Sequence, residues 1–87
     1  MVYVKSIDAP YDCPDCAGIR FLCLNDDTRL SRDEAYWRVL LGSEKIKSGS
    51  ESGPELRPVM REGTRYVRTE ANDTPDDNLL QRPRGCR

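Results

Sequence analysis

The sequence predicts a small α+β domain in which a small antiparallel sheet of about four to five strands, a C-terminal hairpin among them, packs on one helix. Three observations carry that expectation. Two β-branched and apolar stretches lie near the N-terminus, Val2-Tyr-Val-Lys-Ser-Ile7 and Ile19-Arg-Phe-Leu-Cys-Leu24. One segment with helical spacing follows a capping signal, Ser31-Arg-Asp-Glu34. Two further short strands then flank Arg61-Glu-Gly63, a turn with glycine where a positive φ is needed.

Val2 to Ile7 alternates roughly between apolar and polar residues and reads as a first strand. Residues 8 to 18 hold two prolines, three aspartates and a cysteine pair, so they read as a loop. The second strand is apolar at nearly every position, with Ile19, Phe21 and Cys23 on one face and Leu22 and Leu24 on the other. That pattern suits a central strand. Asn25-Asp-Asp-Thr28 is a turn.

In the helix, the Ser31 hydroxyl is expected to accept from the Glu34 amide, and the Glu34 carboxylate to return the bond to Ser31. Asp33 and Glu34 suit the positive end of the helix dipole, and Arg38 lies toward the other end. Tyr36, Val39 and Leu40 form an i, i+3, i+4 stripe, widened by Trp37 and Leu41. Gly42 reads as a left-handed stop, which bounds the helix at Arg32 and Leu41.

Residues 43 to 54 are rich in Ser, Gly, Glu and Lys and read as a flexible excursion with one short strand around Ile46. Residues 56 to 60 and 64 to 69 form the hairpin, and Asn72-Asp-Thr-Pro75 a further turn. The tail, residues 77 to 87, is anchored by Leu79 and Leu80. No repeat and no boundary interrupts the chain, so residues 1 to 87 read as a single small domain.

Four short stretches carry a resemblance. Tyr66-Val-Arg-Thr69, Asp77-Asn-Leu-Leu80 and the proline-containing residues 83 to 86 that close on a cysteine resemble the end of the bacterial and phage family called domain of unknown function 3892. That family ends in a strand like "KYLRT", a turn and a "DNLL" element. Leu30-Ser-Arg-Asp-Glu-Ala35 is similar to the family's helix start, written "LT-x-x-EA". The resemblance covers about residues 19 to 86 and implies a small α+β domain with a strand, strand, helix, strand, hairpin order. It implies no catalytic residue. The cysteine pair of the first loop departs from the family pattern.

Composition narrows the function classes. A chain of 87 residues buries a thin core, roughly 60–65% of its unfolded surface. Fourteen basic and fifteen acidic residues leave a net charge of −1, so no global basic field advertises a nucleic-acid partner. No apolar run approaches the ~18 residues of a membrane span. The N-terminal residues lack a signal-peptide core, so the expected compartment is the cytoplasm, where thiols stay reduced. With no histidine, no G-x-S-x-G and no glycine-rich phosphate loop, a non-enzymatic role is expected.

The cysteines raise the sharpest question. Cys13-Pro-Asp-Cys16 is written like half of a zinc knuckle, and a tetrahedral structural zinc takes four thiolates or imidazoles. Cys13, Cys16, Cys23 and Cys86 are the four available, so a single zinc ion would need the tail to bring Cys86 round. Against this stand a redox or disulfide-forming Cys13–Cys16 pair, and plain thiols with Cys23 buried in its strand. All three readings stay open on the sequence.

Arg57, Arg61, Arg65 and Arg68 cluster with Tyr66 on the hairpin, a pattern that can grip nucleic acid. The competing reading is a charged, solvent-facing hairpin that resists edge pairing. Asp26, Asp27, Asp73, Asp76 and Asp77 sit at turns, where aspartate is a common turn former. Trp37 and Leu41 either complete the core or stay exposed as a partner-binding patch. The function expected is a small binding or accessory module, bacterial or phage-encoded, acting on a protein partner as a monomer or homodimer. The competing function is a nucleic-acid-binding protein stabilised by a zinc knuckle.

Overall fold

A computed structural model describes residues 2–10, 12, 15–42, 45–69 and 78–86. The first strand, β1 (Val2–Asp8), pairs antiparallel with β2 (Phe21–Leu24), Val4 opposite Leu24 and Ile7 opposite Leu22. Strict alternation would send Val4 and Ile7 to opposite faces. The register slips between Val4 and Ser6, and this irregularity turns both side chains into the core. Between the strands, residues 16–18 make a 3₁₀ turn whose N-cap Asp15 accepts from the Ala17 amide at 3.0 Å.

β2 turns back at residues 25–28 into β3 (Arg29–Ser31). Side chains build this turn. Asp26 accepts from the Thr28 amide at 3.0 Å, Asn25 accepts from the Tyr3 amide at 2.9 Å, and Asp27 takes a φ of 68°. The sequence reading placed the turn but not β3, which is three residues long and runs straight into the helix.

Helix α1 (Arg32–Leu41) has the expected bounds and both bonds of the capping box, at 3.1 Å and 3.0 Å. Two expectations about it need correcting. Gly42 sits at φ −75°, ψ 148°, so the chain leaves the helix extended rather than through a left-handed residue. The inward face is Ala35, Tyr36 and Val39, with Leu40 47% exposed. At 100° per residue these three inward positions span about 100°, and Trp37, Leu40 and Leu41 span a similar arc centred about 140° further round the helix.

α1 carries the chain from one edge of the sheet to the other. β4 (Ile46–Ser48) then lies parallel to β1, Val2 opposite Ile46, giving the order β3-β2-β1-β4. The sheet is therefore mixed rather than antiparallel throughout, because a helical crossover permits a parallel pair where a tight turn does not. The segment after β4 folds back on it, with the Ser48 amide donating to Pro54 and the Leu56 amide to Ile46.

β5 (Arg57–Arg61) and β6 (Thr64–Arg68) form a separate two-stranded sheet. Their two-residue turn has φ 51° at Glu62 and 80° at Gly63, the positive values a type I′ turn requires. β6 is buried on both faces at its centre, Tyr66 on one and Val67 on the other, while Arg57, Met60 and Arg61 of β5 stay exposed. Val59, Arg61 and Tyr66 share the face where Arg61 meets Asp15 beside the 3₁₀ turn, and Arg65 and Val67 share the face toward α1. The core gathers Val4, Ile7, Leu22, Leu24, Leu30 and Ile46 of the four-stranded sheet with Tyr66, Val67, Leu79 and Leu80.

Ser31→Ala should cost about 1 kcal/mol, read as a drop of several degrees in melting temperature. The Ser31 backbone N–H holds the Glu34 carboxyl below its usual range. Its contribution is therefore present above the ordinary glutamate pKa and lost as pH falls through the lower folded value. Thermal melts across that window should show Glu34→Gln losing less stability on acidification than the natural chain; equal slopes would mean that the Glu34 carboxylate contributes nothing.

Candidate functional site

The outward arc of α1 is the most apolar exposed surface among the described residues. Trp37 is 41% and Leu41 75% exposed, with Leu40 beside them. The Trp37 ring is held from two sides. Tyr36 meets it edge-on with centroids 5.1 Å apart, and the Arg65 guanidinium lies 5.3 Å from its centroid. Arg65 reaches the helix also through Asp33, at 3.7 Å. Met60 stands opposite Arg65 in the hairpin register and is 60% exposed. A preoriented indole flanked by leucines can accept apolar side chains without first ordering itself.

The hairpin arginines do not form one surface. Arg57, Arg61 and Arg68 share a face of the hairpin with Tyr66, whereas Arg65 belongs to the face toward α1. Arg61 is bonded to Asp15 at 2.7 Å and lies 5.6 Å from the Tyr66 centroid. Tyr66 itself is 1% exposed, so its ring offers no face on which a base could stack. A shallow depression of about 340 Å³ lies elsewhere, lined by Arg20, Phe21, Ser31, Arg32 and Asp33. Its cations already have partners, Arg20 on Asp8 at 3.3 Å and Arg32 on the Ala17 carbonyl at 2.6 Å.

The tail does bring Cys86 to Cys23, but within bonding distance. The two form a disulfide with Sγ atoms 2.09 Å apart and Cα atoms 5.4 Å apart. Both sulfurs are used by the bridge, so in this oxidised form neither is a thiolate that could complete a four-sulfur zinc set. Cys16 lies in the core, and Cys13 lies outside the described residues. Among the described residues no group of three or more cysteine, aspartate or glutamate side chains is placed to hold a metal ion. Asp26 and Asp27 serve their turn as expected, while Asp73, Asp76 and Asp77 lie outside the described residues.

Around the bridge the tail is bound to β1. The Ile7 amide donates to the Pro83 carbonyl at 2.9 Å, and the Ile7 carbonyl accepts from the Cys86 amide at 3.4 Å. Arg84 gathers carbonyls from two segments, donating to Ala9, Pro10, Leu80 and Arg82. Sequence reasoning found the Leu79 and Leu80 anchor but not Arg84, whose role depends on carbonyls more than 70 positions away. Nothing in its local sequence marks it.

Tyr66→Ala should remove about 3–5 kcal/mol of stability, while Trp37→Ala should cost less, about 1–2 kcal/mol, because it loses the ring's Tyr36 and Arg65 contacts but leaves no cavity in the core. Denaturant unfolding of the two variants checks this directly. Digestion of unreduced protein should also return the Cys23 and Cys86 peptides as one linked pair. Comparison of the chain with protein-family models, with curated proteins and with solved structures finds no match.

Proposed function

We propose that the chain is a small, non-enzymatic binding module that docks a protein segment on the outward arc of α1. The observation that carries this reading is the placement of Trp37, Leu40 and Leu41 on the side of the helix away from the core. Only 37% of the chain is hydrophobic, so folding alone gives no reason to leave a tryptophan and two leucines of one helix in water. The partner that fits carries apolar side chains for the arc and a carboxylate for Arg38, which lies next to Trp37 along the helix. The acids of α1 are already engaged, Glu34 in the capping box and Asp33 with Arg65.

The resemblance to the domain of unknown function 3892 family supports an accessory role in bacteria or their phages, and the reading places the chain in the cytoplasm. No helix among the described residues is long and apolar enough to cross a membrane. A nucleic-acid role has less to stand on, since its aromatic residue is in the core and its arginines divide between two faces.

A photoreactive side chain at position 41, with a control at Arg57 on the hairpin, tests the reading in cells. The expected result is one recurrent adduct from position 41 alone, mapped to a partner segment with apolar and acidic residues, and weakened about tenfold or more by Arg38→Glu. Adducts to a second copy of the chain, or equal adducts from both positions, would replace it with self-association or with non-specific contact.

A further inference from the structure

The C-terminal tail passes from one face of the four-stranded sheet to the other. Leu79 and Leu80 belong to the core on the inner face. Cys86 is joined to Cys23, and Cys23 stands opposite Ser6 on the outer face. A Cβ placed on Gly85 would lie 3.9 Å from the Ser6 Cβ, which puts the end of the tail over that same face. Between the two anchors the chain is held by polar bonds and buries no apolar side chain. Gln81, Pro83 and Gly85 are exposed, and Ile7 supplies two backbone bonds while Arg84 clasps nearby carbonyls. Segments with few buried apolar contacts open first. The bridge therefore ties down the far end of a strap whose near end the core holds without it.

We propose that the Cys23–Cys86 disulfide is a redox latch on the strap of residues 81–86. In this device a dithiol reductant opens the bridge, releasing the strap from β1 while the domain stays folded. Cys23 is the more exposed of the two, half-buried where Cys86 is 2% exposed. A dithiol thiolate attacks the Cys23 sulfur, the Sγ–Sγ bond breaks, and Cys86 leaves as a thiolate with the strap end. The second sulfur of the dithiol then closes its own disulfide and releases Cys23. Two electrons and two protons pass from the dithiol to the cysteine pair. Strap release leaves the Ile7 N–H and C=O without their tail partners, an open stretch of strand edge next to a new thiol. In a reducing compartment the strap is open and under oxidation it is closed, so the tail reports the thiol poise around it. The latch lies away from the α1 arc and does not rest on docking there.

Amide hydrogen exchange on the intact chain, oxidised and after dithiothreitol followed by alkylation, tests the latch. The Cys86→Ser chain is measured under both conditions as the control for the remaining thiols. Reduction should speed exchange at Ile7 about tenfold or more. The Leu24 and Leu56 amides, bonded to Thr28 and Ile46, should change less than about twofold. Cys86→Ser should show the fast Ile7 rate with or without the dithiol. Unchanged exchange at Ile7 after proven reduction would overturn the latch. Collapse of protection at Leu24 and Leu56 as well would also overturn it, because the bridge would then be a staple for the whole fold. So would the absence of a Cys23–Cys86 linkage in the unreduced chain.

Discussion

The irregular pairing of β1 sets the conditions for everything packed around it. By slipping register between Val4 and Ser6, the strand presents both Val4 and Ile7 to one core. The same slip leaves Lys5 outside, where its ammonium meets Asp27 at 2.7 Å. β1 then pairs with β2 on one edge and with β4 and the tail on the other. Segments from the beginning, middle and end of the chain thus meet on one strand. In a domain with so thin a core, β1 is the strand through which both edges of the sheet are joined.

The hairpin is the second constraint. It packs between α1 and the 3₁₀ turn, so its two faces take different work. One face seats Tyr66 and joins Arg61 to Asp15. The other buries Val67 and sends Arg65 across Asp33 to the tryptophan ring. An arrangement that looks in sequence like one basic cluster is in space two separate clasps. The second clasp holds the Trp37 ring at the border of the arc on which Leu40 and Leu41 stay exposed.

The cysteines show how the same residues support different chemistry once distance is known. Four thiols in a chain without histidine make a zinc site conceivable, yet a bonded pair cannot supply two thiolates. The bridge lies between residues 63 positions apart and holds a segment otherwise bound by backbone hydrogen bonds and two arginines, Arg82 and Arg84. Covalent closure of a long loop acts mainly on the unfolded chain, whereas here it also acts locally on the strap.

Local signals in the sequence determined the local structure. The capping box set the start of α1, the Glu62-Gly63 turn set the hairpin, and the aspartates of residues 25–28 set the turn between β2 and β3, because each rests on bonds or φ values within a few residues. The near-continuous apolar run also identified β2 as a central strand. What only the tertiary structure decided needed partners far along the chain. The parallel seat of β4, the slip that turns Ile7 inward, the exposure of Leu40 and the carbonyls gathered by Arg84 all belong to this kind. So does the joining of Cys86 to Cys23. A helix with apolar residues on both sides does not say which side the core will take. That choice rests on the burial of Ala35, Tyr36 and Val39 against the core, while Arg65 of the hairpin covers one flank of Trp37 and leaves Leu40 and Leu41 to water.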